Sequence, residues 1–196
     1  MHTHYYTIAQ QACIEYTDRG SRFIAYAIPL PAVSSFKALL AHIKQEHPKA
    51  SHYCFAYRIS SQVYRTSDAG EPSGTAGRPI LAQLDAKQLS HVLIVVVRYF
   101  GGTLLGIPGL INAYRTAASL ALQTVPILQK EHATTITIQC NYTVLNQVYK
   151  TIEQVRGCIT QQQQGLFAQL TIALPSTNIV QCTQSLQRIS GVVVTS

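Results

Sequence analysis

The hydrophobic and polar positions along this chain alternate with the period of strands in some segments and recur with the period of helices in others. The order of these segments predicts two parts. In the second part, alternating residues at 134–140 predict a strand. Apolar residues in 144–155 recur at helical intervals, and Gly157 stands where a helix C-terminal glycine is expected. The other elements predicted here are strands at 158–162, 166–174 and Val192–Thr195, a Gln-Gln-Gly turn between the first two, and a helix that starts at Pro175. This β-α-β-β-α-β order is the ferredoxin-like pattern.

The first part of the chain also mixes helices with strands. Its most informative element is 92–97, a continuous apolar run that predicts a central strand buried on both faces. The other predicted elements are strands at 12–16, 22–28, 52–59 and 62–65, helices over Phe36–Glu46 and 108–123, and a short helix with Pro79 in its first turn. We therefore predict an α+β chain of two domains, 1–127 and 132–196, with a linker at 128–133.

Composition indicates a folded protein that does not span a membrane. Of its 196 residues, 47% are hydrophobic, which is ample for a core and excludes general disorder. No apolar run approaches the roughly 20 residues that a membrane-spanning helix needs, and the N-terminal residues lack the pattern of a signal peptide. We therefore expect a cytoplasmic location.

The cysteines indicate reduced thiols rather than a cofactor site. Their number is odd, they are widely spaced, and they form no CxxC pair, so neither a zinc ribbon nor a redox motif is predicted. We expect most of them to be buried and to behave as small hydrophobes. They are Cys13, Cys54, Cys140, Cys158 and Cys182. No metal site and no cofactor is predicted elsewhere in the sequence.

The net charge of +7 is concentrated in the first part. Residues 1–130 contain twelve Lys and Arg against six Asp and Glu, a net charge of +6, and residues 131–196 add only +1. Seven of the twelve cations are arginine, the side chain suited to bidentate phosphate contacts. This excess suits nucleic acid, although many basic proteins bind none.

Two segments carry residues that core packing does not require. The first is a polar, Gly/Pro-rich loop at 67–77, and the second is RYFGG at 98–102, directly after the apolar strand. Residues of this kind are usually held on a rigid scaffold to meet a partner. The residues that define the two segments are Ser67, Asp68, Gly70, Glu71, Pro72, Gly74, Thr75, Gly77, Gly101, Gly102 and Gly106.

Gly101 and Gly102 lie between a predicted strand and a predicted helix, where free N–H groups can bind an anion. The sequence GGTLLGIPG matches neither GxGxxG nor GxxxxGK(S/T), so nucleotide binding is not favoured. Pro108 also removes one N–H group at the helix start. The alternative is that the glycines permit a sharp exit from the strand. Contact with an RNA backbone stays open.

The residues after the apolar strand support two hypotheses. An arginine beside an aromatic ring suits single-stranded RNA. In the alternative, Arg98 forms an ion pair with Asp68 or Glu71, and the Phe100 ring belongs to the core. The residues predicted to contact phosphate or to stack on bases are Arg78, Arg98, Tyr99 and Arg115.

A catalytic alternative uses the same polar loop. Asp68 and Glu71 could act as an acid/base pair or as metal ligands, with Ser73 or Thr75 as the nucleophile. No histidine lies near them in sequence, and no H-x-x-x-H spacing is present. The competing interpretation is that these are turn and cap residues.

Four ordered blocks of the first part resemble the YigZ/Impact family. They are SRFIAYA at 21–27, EHPKASHYCFAYRI at 46–59, SDAGEPSGTAGRPILAQL at 67–84 and VVVRYFGGTLLGIPGL at 95–110. The resemblance extends over essentially the whole chain, because the second part has the size and pattern that bacterial members carry. The chain departs from the family's pattern at Ile107 and Pro108, where small residues are usual, and at Arg78, where lysine is common.

The resemblance implies both a fold and a role. It implies a first domain like domain 2 of ribosomal protein S5, and a ferredoxin-like second domain similar to domain V of elongation factor G. Eukaryotic members of the family regulate translation, so a role linked to RNA or the ribosome is expected. The basic first part supports this expectation independently.

The leading prediction is therefore a non-enzymatic protein that binds RNA or the ribosome and modulates translation. A possible protein partner in translation control belongs to the same prediction. Two alternatives stay open. One is a small hydrolase or phosphate-ligand enzyme that uses residues 68–75, and the other is a protein-interaction module that binds no RNA.

Overall fold

Contacts between residues divide the chain into two units: a first unit, Tyr5–Lys130, and a second unit that contains His4 and the residues from Glu131 onward. The structure is a computed structural model and describes residues 4–195. The elements up to residue 131 are β1 (His4–Ile8), β2 (Ala12–Asp18), β3 (Ser21–Pro29), α1 (Phe36–Glu46), β4 (His52–Arg58), β5 (Tyr64–Ser67), α2 (Gly77–Ala86), β6 (Val92–Tyr99), α3 (Gly106–Gln123) and β7 (Ile127–Glu131).

Strand β6 lies at the centre of the first unit's main sheet. This antiparallel sheet has the strand order β2-β3-β6-β4-β5. Successive side chains of a strand point to opposite faces. Ile94 and Val96 therefore pack with α2 and α3 on one face, whereas Leu93, Val95 and Val97 pack with α1 on the other. The prediction of a central strand buried on both faces is confirmed.

Helix α3 packs on the sheet through small side chains. The buried alanines of this layer are Ala113, Ala117, Ala118 and Ala121 in α3 and Ala25, Ala27 and Ala56 in the sheet. Small side chains on both surfaces allow a helix and a sheet to approach closely without voids. The same helix carries Tyr114, which is fully buried and contacts the Phe23 ring edge to face at 5.2 Å.

The second unit has the β-α-β-β-α-β order predicted from the sequence. Its strands form a sheet with the order β11-β8-β10-β9, and its buried apolar residues join the two helices to one face of that sheet. The likeness of the two units to ribosomal protein S5 and elongation factor G stays a prediction. The elements are β8 (Ala133–Cys140), α4 (Leu145–Gln154), β9 (Cys158–Gln164), β10 (Ala168–Pro175), α5 (Ile179–Gln187) and β11 (Val192–Thr195).

The hairpin between β9 and β10 differs from the prediction. Gln163 and Gln164 were expected to form the turn with Gly165, but β9 continues through Gln164, which pairs with Ala168. Leu166, expected to start the next strand, lies in the bend and is 94% exposed. All of β9 is exposed, so its positions require no apolar side chains and glutamine fits there.

The predicted linker also contains regular structure. Its first half belongs to β7, which pairs with β1 in a two-stranded sheet. Neither strand was predicted. All five residues of β7 are exposed, so no alternation of buried and exposed positions marks it in the sequence.

Within residues 4–195, no helix is long and apolar enough to cross a membrane. The described cysteines are all free thiols, and Cys54, Cys140 and Cys182 are buried. Cys13 and Cys158 are exposed. The expectation that most of the cysteines are buried is therefore confirmed.

Candidate functional site

A single carboxylate organises the loop between β5 and α2. Asp68 accepts hydrogen bonds from the backbone N–H groups of Gly74 (2.9 Å), Ala76 (2.9 Å) and Gly77 (2.8 Å). The last two groups lie at the start of α2, so Asp68 caps this helix from a position nine residues upstream of Gly77. The carboxylate therefore already fills the place where the N-terminus of α2 would bind an anion.

The hydrogen bonds to Asp68 also change its acidity. Burial alone would raise the pKa of Asp68, but the N–H groups of Gly74, Gly77 and Ala76, together with nearby Arg78, outweigh burial and lower it below the ordinary value. The carboxylate is therefore charged at neutral pH and holds the loop in place.

The Asp68→Asn variant is expected to lose stability at neutral pH and to show a flatter acid limb. An amide accepts weaker hydrogen bonds than a carboxylate, so the free energy of unfolding at pH 7 should fall by about 1–2 kcal/mol. Because the folded-state pKa of Asp68 is depressed, its stabilisation is present above the unfolded pKa of about 4 and is lost as the pH falls through the folded-state pKa. Urea denaturation at a series of pH values measures both effects.

The control for this prediction is Asp18→Asn, which removes a carboxylate that takes no part in the loop. This variant should keep the acid limb of the wild-type chain. Equally steep acid limbs in wild type and Asp68→Asn would show that Asp68 does not carry the effect.

The second carboxylate of the loop lies inside the protein. The side chain of Glu71 is 3% exposed and that of Arg98 is 6% exposed, and Arg98 Nη1 donates to Glu71 Oε1 at 2.7 Å. The Tyr114 hydroxyl donates to the same oxygen at 2.7 Å, and His52 Nε2 lies 3.8 Å from it. A buried carboxylate is tolerated only when it is paired in this way. Glu71 therefore joins the loop to β6 and α3.

The Arg98 guanidinium contacts further residues of the first unit. Its Nη2 donates to Ser21 Oγ at 3.3 Å, and its Cζ lies 5.5 Å from the Phe23 ring centroid and 5.7 Å from that of Phe100. Its Nε is buried and has no hydrogen-bond partner among the described residues. The role of Arg98 is therefore to connect the loop, the start of β3 and the end of β6.

The thiol of Cys54 lies beside this ion pair but is unsuited to chemistry. Its Sγ is 2.9 Å from the Asp68 carbonyl oxygen and 3.3 Å from the Tyr114 hydroxyl oxygen. Burial raises the pKa of Cys54 to about 12. The thiol is therefore protonated at neutral pH and is a weak nucleophile.

Gly101 fits against the turn that connects β2 to β3. A Cβ atom at Gly101 would lie 1.9 Å from the carbonyl carbon of Gly20 and 2.2 Å from the nitrogen of Ser21. The Gly101 N–H donates to Ser21 Oγ at 3.2 Å. Only glycine permits this approach of two backbone segments. This observation supports the interpretation that the glycine is required for packing.

The segment from Phe100 onward presents apolar side chains to solvent. Phe100 is 50% exposed, Leu104 is 83% exposed and Ile107 is 58% exposed. Gly102 and Gly106 have positive φ angles of 85° and 69°, a conformation that favours glycine. Contiguous exposed apolar residues often mark a contact surface. We call residues 100–107 the Phe100 surface.

The structure separates the four predicted RNA-contacting residues into two groups. Arg78 and Arg115 are exposed. Tyr99 is partly buried, its hydroxyl lies 3.0 Å from His47 Nδ1, and the Arg22 guanidinium lies over its ring. Arg98 is buried and paired with Glu71, which supports the alternative ion-pair interpretation and argues against direct contact with RNA. The placement of the Phe100 ring in the core was wrong, because half of this residue is exposed.

The catalytic alternative gains no support from the loop's geometry. Thr75 is buried and its hydroxyl donates to the Pro72 carbonyl at 2.7 Å, and Ser73 is exposed. Among the described residues, the recorded hydrogen bonds join neither hydroxyl to a carboxylate or an imidazole, and no cluster of His, Cys, Asp and Glu could hold a metal ion. The carboxylates of Asp68 and Glu71 are used in loop capping and ion pairing instead.

Sequence reasoning missed the partners that complete the buried cluster. Ser21, Tyr114 and His52 come from three different elements and lie far from Glu71 in the sequence. Tyr114 lies in the predicted helix 108–123, but nothing in the spacing indicates a carboxylate partner. The available signal is indirect: an arginine that follows a fully buried apolar strand needs an anion when its side chain points inward.

The loop and the end of β6 lie within a stretch of sequence that matches a known domain family. A profile of the Impact N-terminal domain matches residues 19–122, which contain the loop, β6 and nearly all of α3. The chain belongs to the IMPACT family. The matched range of this chain contains both carboxylates of the loop, Arg98, Gly20 and Gly101.

Individual IMPACT proteins match over different lengths. The IMPACT family member YigZ of Escherichia coli is 36% identical over 172 residues, which is 86% of this chain and 84% of YigZ. A crystal structure described as that of a hypothetical protein covers 100% of this chain and 98% of its own, with a TM-score of 0.81 and 32% identity. Protein IMPACT of Rattus norvegicus is 32% identical over 95 residues and is matched over 30% of its length.

Proposed function

We propose that this IMPACT family protein binds RNA, alone or within the ribosome, through its first unit and thereby modulates translation in the cytoplasm. The observation that carries the proposal is the distribution of ion pairs in the first unit. Three of its seven arginines pair with carboxylates: Arg22 with Glu15, Arg58 with Asp85 and Arg98 with Glu71. Within residues 4–195 the other four form no ion pair, and all four are exposed. They are Arg19, Arg65, Arg78 and Arg115.

The two acidic residues of the loop are engaged inside the protein rather than in a salt bridge with Arg78, the exposed arginine that follows the loop. Asp68 turns inward to backbone N–H groups and Glu71 is buried against Arg98. Arg78, in the first turn of α2 directly after the loop, is therefore exposed, while the negative charges of the loop are used inside. A polyanion with regularly spaced phosphates meets exposed arginines without having to displace carboxylates.

The Phe100 surface adds a contact that suits unpaired bases. Half of Phe100 is exposed, and the buried guanidinium of Arg98 lies near its ring. An aromatic ring with one free face can stack on a base of single-stranded RNA, whereas paired bases are inaccessible to it. We therefore infer a preference for single-stranded or looped RNA over duplex RNA.

Fluorescence anisotropy with a labelled single-stranded RNA at graded salt tests the proposal. The Arg78→Ala/Arg115→Ala variant is expected to bind about tenfold more weakly, with a shallower dependence of affinity on salt, because each lost phosphate contact reduces the number of released counterions. The Phe100→Ala variant is expected to lose about five- to tenfold in affinity without a change in the salt slope. Cosedimentation with ribosomes at graded salt extends the test to the assembled particle.

A charge-matched control is available in the second unit. Lys150→Ala/Arg188→Ala removes two exposed cations and should leave RNA affinity and the salt slope unchanged. Equal losses of RNA affinity in the control and in Arg78→Ala/Arg115→Ala would show that the net charge of the chain, and not these two positions, determines binding. Binding of duplex RNA as tightly as single-stranded RNA would exclude stacking by Phe100.

A further inference from the structure

We propose that β9 is a self-association strand, which pairs antiparallel with β9 of a second copy of this chain about a two-fold axis. This inference concerns the second unit and is independent of RNA binding by the first. The pairing would join two four-stranded sheets into one continuous sheet across the axis.

Strand β9 is an edge without the usual protection. It is the last strand in the order β11-β8-β10-β9, and within residues 4–195 it pairs with β10 alone. Soluble proteins commonly protect such edges with charged residues or proline. The strand CITQQQQ contains neither, and all seven of its residues are exposed. Its outer backbone N–H and C=O groups are therefore available to another strand.

The sequence of β9 is complementary to itself. In an antiparallel pair about a two-fold axis, a residue at the centre faces its own copy and its neighbours face each other. A centre at Gln162 opposes Gln161 to Gln163, and a centre at Gln163 opposes Gln162 to Gln164. Either register therefore places glutamine opposite glutamine at three consecutive positions. Glutamine amides both donate and accept hydrogen bonds, so such pairs form ladders without like-charge repulsion.

The exposed tip of the β9–β10 hairpin also favours a second copy of this chain as the partner of β9. Leu166 is 94% exposed, Phe167 is 47% exposed, and Ile159 at the other end of β9 is 38% exposed. An antiparallel pairing brings the tip of one copy beside residues 158–159 of the other in both registers. The pairing would thus cover apolar side chains that each copy alone exposes to water.

A bulge limits the regular part of this edge. The register of β9 against β10 shifts between Thr171 and Ile172, and it leaves Thr160 without a partner position of its own in β10. The glutamine run lies entirely on the regular side of the bulge. The two-fold pairing therefore uses the straight segment 161–164.

Sedimentation velocity over a range of protein concentrations tests the proposal with two oppositely charged variants. The wild-type chain is expected to form a dimer. Gln161→Lys/Gln163→Lys and Gln161→Glu/Gln163→Glu should each self-associate at least about tenfold more weakly, because both registers then oppose like charges. An equimolar mixture of the two variants should form the heterodimer, since lysine then faces glutamate. Recovery in the mixture also shows that both variants are folded.

The opposite edge of the same sheet provides the control. Val193→Lys/Thr195→Lys places two lysines on β11 and should leave the dimer intact. Three results would overturn the proposal: a wild-type chain that stays monomeric at all concentrations, a lysine variant of β9 that dimerises like wild type, or a mixture that fails to form the heterodimer. Loss of the dimer in the β11 control would place the interface on the other edge and would also overturn it.

Discussion

The Arg98→Met variant is expected to lose about 3–5 kcal/mol of unfolding free energy, the largest effect of any single substitution in the loop cluster. Methionine fills much of the volume of arginine but leaves the buried Glu71 carboxylate without its cation. The cost of an uncompensated buried charge exceeds that of a lost surface pair several-fold. Urea denaturation followed by circular dichroism measures the loss.

A double variant separates the ion pair from simple packing. In Arg98→Met/Glu71→Gln the buried charge is gone, and the amide introduced at position 71 can still accept a hydrogen bond from Tyr114. This variant should recover a large share of the stability lost in Arg98→Met, because replacing both members of a buried pair costs less than breaking it. A loss below about 1 kcal/mol in Arg98→Met, or no recovery in the double variant, would contradict the role assigned to this pair.

The fold was largely accessible from the sequence because its signals are local. The apolar run at 92–97 and the helical spacing in 144–155 each appear within one element, and the structure contains β6 and α4 there. Strands β1 and β7 pair with each other and were missed, because all of β7 is exposed and only Thr7 and Ile8 of β1 are buried. Such a pairing leaves no apolar alternation in either strand.

The candidate site was accessible only in part, because its contacts are long-range. The sequence located the loop and RYFGG, and it offered an ion pair of Arg98 with Asp68 or Glu71 as one of two alternatives. It could not decide between them, since Arg98 bonds to Ser21 and its partner Glu71 bonds to Tyr114, and both of these residues come from distant elements. A guanidinium after an apolar strand can point outward or inward, and only the tertiary contacts choose.

The burial of Arg98 changes which residues can meet a ligand. The hydrophobic residues after it take the exposed position instead, with Phe100 half exposed. The inward carboxylates of the loop and the exposed Arg78 directly after it then make this region positive on its outer side, although the loop's sequence contains two acidic residues. Net charge alone would not have indicated this separation.

The Gly101→Ala variant is expected to lose about 3 kcal/mol of unfolding free energy, the largest effect of any glycine substitution at the site. The added methyl group would lie 1.9 Å from a backbone atom of Gly20, and a backbone atom cannot rotate away as a flexible side chain can. The β2–β3 turn must therefore move away from the end of β6. That movement would break the Gly101–Ser21 hydrogen bond and disturb Ser21 as a partner of Arg98.

Two matched glycine variants isolate the cause of this loss. Gly165→Ala adds a methyl group whose nearest neighbour is 3.8 Å away, so its stability should stay within about 0.5 kcal/mol of wild type. Gly102→Ala meets no atom within 4 Å but has a positive φ of 85°, so it should cost about 1 kcal/mol through backbone strain alone. Thermal and urea denaturation of the three variants would rank Gly101→Ala as the most destabilised. A loss in Gly101→Ala no larger than that in Gly102→Ala would mean that the two backbone segments can separate at little cost, and the packing role of Gly101 would then be wrong.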